Sequence, residues 1–201
     1  MLKKTAKNIV WKIKGGYEPQ RFWDAFAESL MNDPWQKKIH PQHAWLLQHV
    51  KESHPQTILE IGCGFGRNIR FLIKNGFKAE KITGIDISPV MIQKAKKFVG
   101  DKVQLHIGDI RSLPYDDNEF DFVFTHGVFM HVSPQDVQKA MKECLRVTKK
   151  DFIIIEQNYP ADNRYTFVHP YKKLFTENKV NIVEYMSDNH IGLDYYHVKI
   201  R

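Results

Sequence analysis

Three glycines at 62, 64 and 66 follow a short apolar run, in Glu60-Ile61-Gly62-Cys63-Gly64-Phe65-Gly66-Arg67-Asn68. Glycines at alternate positions let a backbone turn tightly and come close to a ligand, where any Cβ would collide. A dinucleotide fingerprint would place its third glycine at position 67, where Arg67 stands, so the pyrophosphate reading loses its distinguishing residue. Two carboxylates follow later apolar runs. Asp86 can accept hydrogen bonds from both hydroxyls of a ribose, a task shared by nicotinamide dinucleotides and other adenosine ligands. Asp109, in Gly108-Asp109-Ile110, stands where a carboxylate could accept a bond from an adenine amino group. His126 and His131 follow a fourth apolar run, and imidazole titrates near neutrality, which suits a general base. His40 and His43 flank Pro41 with the spacing of a metal pair, yet no further ligands accompany them, and no metal site is expected.

Strands must carry these residues to one edge. From Thr57 onward, short apolar runs at Thr57-Ile61, Ile82-Ile85, Val103-Ile107, Phe120-Thr125 and Phe152-Glu156 alternate with helical segments near Asn68-Asn75, Pro89-Val99 and Pro134-Val147. Ser88-Pro89 and Ser133-Pro134 each place a hydroxyl cap before a proline at the first helical position, and Asp136 completes a capping-box-like spacing. Buried-looking strands joined by helical crossovers imply a mainly parallel, doubly wound sheet with helices on both faces, because parallel strands need long connections. In such a sheet the ligand sits beyond the carboxyl ends of the strands, where the glycines and both carboxylates fall. A short helix near Tyr171-Thr176 and two runs, Lys179-Tyr185 and Leu193-Ile200, imply a terminal hairpin turning at Ser187-Asp188-Asn189. Before Thr57 the chain reads as two helices, Arg21-Met31 and Trp35-Lys51, broken at Asn32-Asp33-Pro34.

With 201 residues, 42% hydrophobic and 26% charged, the chain fits one globular domain able to bury roughly 70% of its unfolded surface. Cys63 and Cys144 stand far apart with no CxxC, which argues against a disulfide framework or a structural zinc and for a reducing compartment. Cys63 reads as a small loop residue. No apolar run is long enough to span a bilayer, and lysines interrupt the N-terminus too often for a secretory segment, so a cytoplasmic location is expected. The net charge of +7 is partly local. Lys3, Lys4, Lys7, Lys12 and Lys14 share the first 17 residues with apolar residues at helical spacing, so this arm could pack on the domain, touch an anionic surface, or track phosphates.

Together the residues resemble the class I S-adenosylmethionine-dependent methyltransferases. The resemblance rests on Ile58-Leu59-Glu60-Ile61-Gly62-Cys63-Gly64-Phe65-Gly66, on Gly84-Ile85-Asp86-Ile87-Ser88-Pro89 with Met91, and on Gly108-Asp109, in that order. Phe120-Asp121-Phe122-Val123-Phe124-Thr125-His126 is similar to the family's fourth strand, and Leu145-Arg146-Val147 to the end of the next helix. It implies a Rossmann-like seven-stranded sheet, mostly parallel with the last strand antiparallel. Residues 1–56 would form the basic arm and a helical cap, and 57–201 the methyltransferase core, as one structural domain overall.

The resemblance also implies roles. Glu60 would lie near the methionine amino group or order its water, with Asn68 in the same loop. Gly62, Cys63, Gly64 and Gly66 would back S-adenosylmethionine, and Asp86, Ile87 and Met91 would form the ribose segment. Gly108, Asp109 and Ile110 would frame the adenine, while Thr125 and His126 would approach the methionine moiety. Tyr17 and Trp23 would close over the cofactor, Tyr159, Tyr165 and His169 would line the acceptor side, and His131 is the candidate general base. The family's usual glycine-containing turn before the fifth strand is replaced by Lys149-Lys150-Asp151, which is expected to alter a turn and not the chemistry.

The reading favoured is methyl transfer to oxygen or nitrogen of a small molecule or saccharide, yielding S-adenosylhomocysteine. The alternatives are an RNA or protein methyltransferase, supported only by the basic arm, and a cofactor-binding module without catalysis. A nicotinamide-dependent oxidoreductase is disfavoured by Arg67 and Asp109.

Overall fold

A computed structural model describes residues 17–200 apart from 162 and 164, so the basic arm lies outside the described residues. The apolar runs become strands β1 (Ile58–Ile61), β2 (Ile82–Asp86), β3 (Gln104–Ile107), β4 (Phe120–His126) and β5 (Thr148–Gln157), all parallel to their neighbours within this set. The hairpin supplies β6 (Ile182–Asp188) and β7 (Leu193–Lys199). The sheet runs β3-β2-β1-β4-β5-β7-β6, and β7 is antiparallel to both neighbours, giving the expected seven-stranded Rossmann-like architecture.

Among the described residues six α-helices accompany it: α1 (Pro19–Asn32), α2 (Pro41–Ser53), α3 (Arg67–Lys74), α4 (Pro89–Val99), α5 (Val137–Val147) and α6 (Tyr171–Glu177). Side chains alternate across a strand, so each central strand feeds two cores. Phe122, Phe124, Ile153 and Ile155 face one way, under Leu46 and Val50 of α2, Ile69 and Leu72 of α3 and Ile92 of α4. Val123, Phe152 and Ile154 face the other, under Ala140, Met141 and Cys144 of α5 and Leu174 and Phe175 of α6. Helix α1 lies over the glycine loop, where its Ala27 packs with Phe65 and Met91.

Local chemistry explains where the elements begin. Ser88 caps α4 by accepting from the Met91 N–H at 3.0 Å, and its hydroxyl donates to Asp24 of α1 at 2.5 Å. Glu28 of α1 pairs with Lys94, a second tie between these helices. Two starts differ from the pattern read in the sequence. Helix α2 begins at Pro41 instead of near Trp35, because Trp35 stacks on His40 at 3.6 Å and the His40 N–H donates to His43 Nδ1 at 3.1 Å, leaving the preceding residues as a turn. Helix α5 begins at Val137 instead of Pro134. The Ser133 hydroxyl donates to the Asp136 carboxylate at 3.0 Å, and Pro134 to Asp136 form a turn. Lys149-Lys150-Asp151 also forms no turn: α5 ends at Val147 and β5 starts at Thr148, whose hydroxyl donates to the Cys144 carbonyl at 2.6 Å.

Where β1 ends, the Gly62 and Cys63 N–H groups both donate to the Ile85 carbonyl, at 2.7 and 3.0 Å. Gly62 has φ +71°, and a Cβ there would stand 2.3 Å from Val128 Cγ2 in the loop after β4. Gly62→Ala is therefore expected to combine left-handed strain of about 1–2 kcal/mol with an overpacking cost of about 1–3 kcal/mol. Urea denaturation should show that loss, and Val128→Ala in the same chain should restore the overpacking part alone.

Candidate functional site

The carboxyl ends of the central strands open on a cleft of about 750 Å³, within the size range that buries small ligands. Its floor is the glycine loop. The Gly64 N–H donates to Asp86 Oδ2 at 2.8 Å, and the Ser88 N–H donates to Asp86 Oδ1 at 2.9 Å. Each carboxylate oxygen keeps a further lone pair, so Asp86 remains able to accept from ligand hydroxyls. Burial pushes its carboxyl up to about 6, against the pull of these two bonds. Gly64 has φ +54°, and a Cβ built there meets nothing within 4 Å. That space is the cleft itself, which a side chain would fill.

Glu60, on the buried strand β1, sits deepest. Asn68 donates to its Oε1 at 2.7 Å, while Oε2 is buried without a partner. Burial pushes its carboxyl up to about 8, opposed by the Asn68 bond and by Arg67 nearby. Arg67, the first residue of α3, lines the same floor with its Nη1 unpartnered, and burial lowers its pKa. Gln42 of α2 contributes a buried, unpartnered Oε1. The cleft thus holds unmatched donors and acceptors that a polar ligand would complete.

The expected residues mostly line this cleft, and four do not. Gly66 lies behind the floor as the residue before α3. Thr125 is fully buried and directs its hydroxyl to Glu156 at 3.5 Å, away from the methionine side where it was expected. His169 is no acceptor-lining group: its Nε2 lies 3.0 Å from both the Phe129 and Val132 carbonyls, so it braces the loop from beneath. Tyr165 stacks on Tyr17 at 5.7 Å, outside the cleft lining. Asp109 does line the cleft, but Arg111 clasps its carboxylate through Nε at 2.9 Å to both oxygens, and an adenine amino group would have to share it. The physical reason is proximity in one turn: Asp109 also accepts the Arg111 N–H, at 2.9 Å.

The loop after β4 carries both candidate bases. His131 Nδ1 lies 2.8 Å from the Tyr165 carbonyl, and its ring meets Trp23 edge-on at 4.8 Å. A carbonyl only accepts, so the proton is on Nδ1 and Nε2 keeps the lone pair. Burial pulls His131 down to about 4. His126, whose Nδ1 has no partner, is pulled well below its ordinary value, also by burial.

Glu156 holds this loop and was not singled out from the sequence. It accepts the N–H groups of Val128, Phe129 and Met130 at 2.9, 3.0 and 3.0 Å, while fully buried. Burial raises its carboxyl to about 7 against these three bonds. The signal available was an acid closing the apolar run Phe152-Ile153-Ile154-Ile155. Tyr159, Phe167 and Leu193 form an outer flank of the cleft.

Comparison with known proteins agrees with this geometry. Residues 58–151 match a family model described as a methyltransferase domain. A probable chloroplastic tocopherol O-methyltransferase from Oryza sativa is 25% identical over 89% of this chain and 50% of its own length. The 2-methyl-6-phytyl-1,4-hydroquinone methyltransferase of Synechocystis is 34% identical over 49% of this chain and 30% of its own. The chain thus spans half or less of the length of these curated relatives. Among solved structures, a SAM-dependent methyltransferase from Aquifex aeolicus shares the fold with a TM-score of 0.71 at 19% identity, covering 89% of this chain and 98% of that one. With the glycine floor, the Asp86 carboxylate and the strand order in place, residues 58–151 are similar to a methyltransferase domain, and the fold is that of the SAM-dependent methyltransferase structure it resembles.

Proposed function

We propose that the chain transfers a methyl group to an oxygen or nitrogen atom of a small-molecule or saccharide acceptor. The observation that carries this reading is the cleft floor, where the open face of Gly64, the Asp86 carboxylate and the orphan Glu60 oxygen fit the three parts of the cofactor. A flank of Tyr159, Phe167 and Leu193 leaves an apolar side for an acceptor. The names of relatives support a small acceptor, tocopherol in one case and a prenylated hydroquinone in another.

S-adenosylmethionine supplies a methyl group already activated by its sulfonium and leaves as S-adenosylhomocysteine, so the chain's own work is placement. Asp86 with Ile87 and Met91 would hold the ribose, Glu60 would face the amino group, and Gly108, Asp109 and Ile110 would frame the base. Tyr17 and Trp23, which line the cleft from the cap side, exclude water. Holding the acceptor in line at about 3–3.5 Å from the reacting carbon supplies much of the rate. A hydroxyl acceptor must also lose a proton. His131 is neutral at pH 7 and takes that proton at Nε2, while the Tyr165 carbonyl keeps the ring in place.

Three outcomes are expected. In thermal unfolding, S-adenosylmethionine and S-adenosylhomocysteine stabilise the chain by about 2.7 kcal/mol at 100 times their dissociation constants, and NAD does not. Asp86→Ala should abolish the shift, whereas stabilisation by NAD alone would refute the reading.

Cofactor affinity should rise from pH 6 to about pH 7.5, before the cofactor's amino group itself loses its proton. Glu60 binds a proton in the fold that the unfolded chain has released, so its contribution to stability is present at low pH and fades as pH climbs through about 8. A cationic amino group favours the ionised form, and binding therefore strengthens until that amino group is itself neutralised. Calorimetry on Glu60→Gln should show a flat profile.

With methyl-labelled cofactor and fractions of small molecules, saccharides, RNA and protein, label should enter the first two. His131→Ala should keep the cofactor-induced shift in unfolding and slow transfer to a hydroxyl by about 10²–10⁴-fold.

A further inference from the structure

Away from the cleft, His49 of α2, Glu184 of β6 and His197 of β7 converge, one ligating atom of each lying within 4.8 Å of the others. Among the described residues no other set of three histidines, cysteines or acids does so. Sequence spacing hides the group, because its members come from opposite ends of the chain. His49 Nε2 stands 3.0 Å from Glu184 Oε2. The two imidazole rings meet nearly at right angles, 87° apart, with centroids separated by 4.9 Å.

The atoms facing away from the centre are all held. His49 Nδ1 lies 2.9 Å from the Trp45 carbonyl, which can only accept, so that nitrogen carries a proton. His197 Nε2 lies 2.8 Å from Asp151 Oδ1, and Asp151 accepts the Ser53 hydroxyl at 2.5 Å. Glu184 Oε1 accepts the Trp45 indole N–H at 2.9 Å. Imidazoles that bind metals show this arrangement, with the second nitrogen donated to a carbonyl or carboxylate so that the first keeps its lone pair.

A lone pair on His49 Nε2 would repel a carboxylate oxygen 3.0 Å away, so a positive charge belongs between them. A proton on His49 would satisfy that pair and leave His197 out of it. A divalent cation would satisfy all three ligands. Two imidazoles and one carboxylate suit zinc, and the half-exposed Glu184 side chain, 47% accessible, leaves room for entry and for a solvent ligand.

We propose that His49, Glu184 and His197 bind one zinc ion, with water completing four-coordination. Ligand atoms around tetrahedral zinc stand about 3.3 Å apart, so separations of up to 4.8 Å must close by as much as about 1.5 Å, a movement the exposed Glu184 side chain can make. Gln42 and Leu193, which line the cleft, lie two helical turns (about 10 Å) and four strand residues (about 13 Å) from the nearest ligand on their own elements. The ion is a brace that fastens α2 to the β6–β7 hairpin, apart from the reacting groups.

The test is calorimetric titration of the full chain, dialysed first against a chelator, with zinc chloride alone. One ion per chain is expected, and cobalt(II) should give the intense visible absorption of a four-coordinate site. Glu184→Gln keeps an acceptor for Trp45 and removes the charge. It should weaken zinc binding by about tenfold or more and lose the zinc-dependent rise in unfolding temperature, as should His197→Asn, while His190→Ala in the hairpin changes neither. Circular dichroism of Glu184→Gln should match that of the parent chain, which separates loss of the ligand from loss of the fold. No zinc binding by the parent chain, or equal binding by parent and Glu184→Gln, would overturn the proposal and leave an imidazolium–carboxylate pair only.

Discussion

The bond from the Gly64 N–H to Asp86, 2.8 Å long, joins the loop after β1 to the end of β2 at the floor of the cleft. Much follows from it. A carboxylate this buried persists only when hydrogen-bonded, so the loop must keep the backbone shape that aims Gly64 at it. That shape needs positive φ at 62, 64 and 66, and the same three positions bring the chain close to Val128, to the cleft and to Val99. The ligand floor and the strand pairing are therefore one constraint, since the Ile85 carbonyl that receives Gly62 and Cys63 belongs to the strand that ends in Asp86.

A second acid organises the opposite wall. Glu156 collects three consecutive amide protons from the loop after β4, which converts a flexible connection into a fixed shelf for His126 and His131. His169 reinforces the shelf through two carbonyls, and Tyr165 fixes the His131 ring through a third. Preorganised dipoles of this kind cost nothing further at the moment of reaction. Burial keeps the His126 and His131 imidazoles neutral at pH 7.

The strands and crossovers could be read in advance because their apolar runs are bounded by glycine, proline and capping hydroxyls, and Ser88-Pro89 marks the start of α4 to the residue. Position alone also brought Glu60, Asp86 and the glycines to one edge, because strand ends in a parallel sheet share an edge. What failed depends on side-chain direction. Asp109 lines the cleft, and that Arg111 also clasps it is a rotamer choice with no trace in spacing. Thr125 and His126 are neighbours on one strand, and alternation sends the first inward and the second to the cleft. The late start of α2 came from a tertiary stack, Trp35 on His40, that overrode helical periodicity. Glu156 was passed over because an acid at the end of an apolar strand looks like its exposed terminus until three amides are found around it.

The place of β7 between β5 and β6 has a consequence for the nascent chain. The parallel pairs form from strands β1 to β5, but β5 gains its second neighbour, the antiparallel β7, only when residues 193–199 have left the ribosome. Until then one whole flank of Phe152 to Ile155 offers unpaired amides and carbonyls to any extended segment nearby. The sheet closes only once residues 193–199 have emerged.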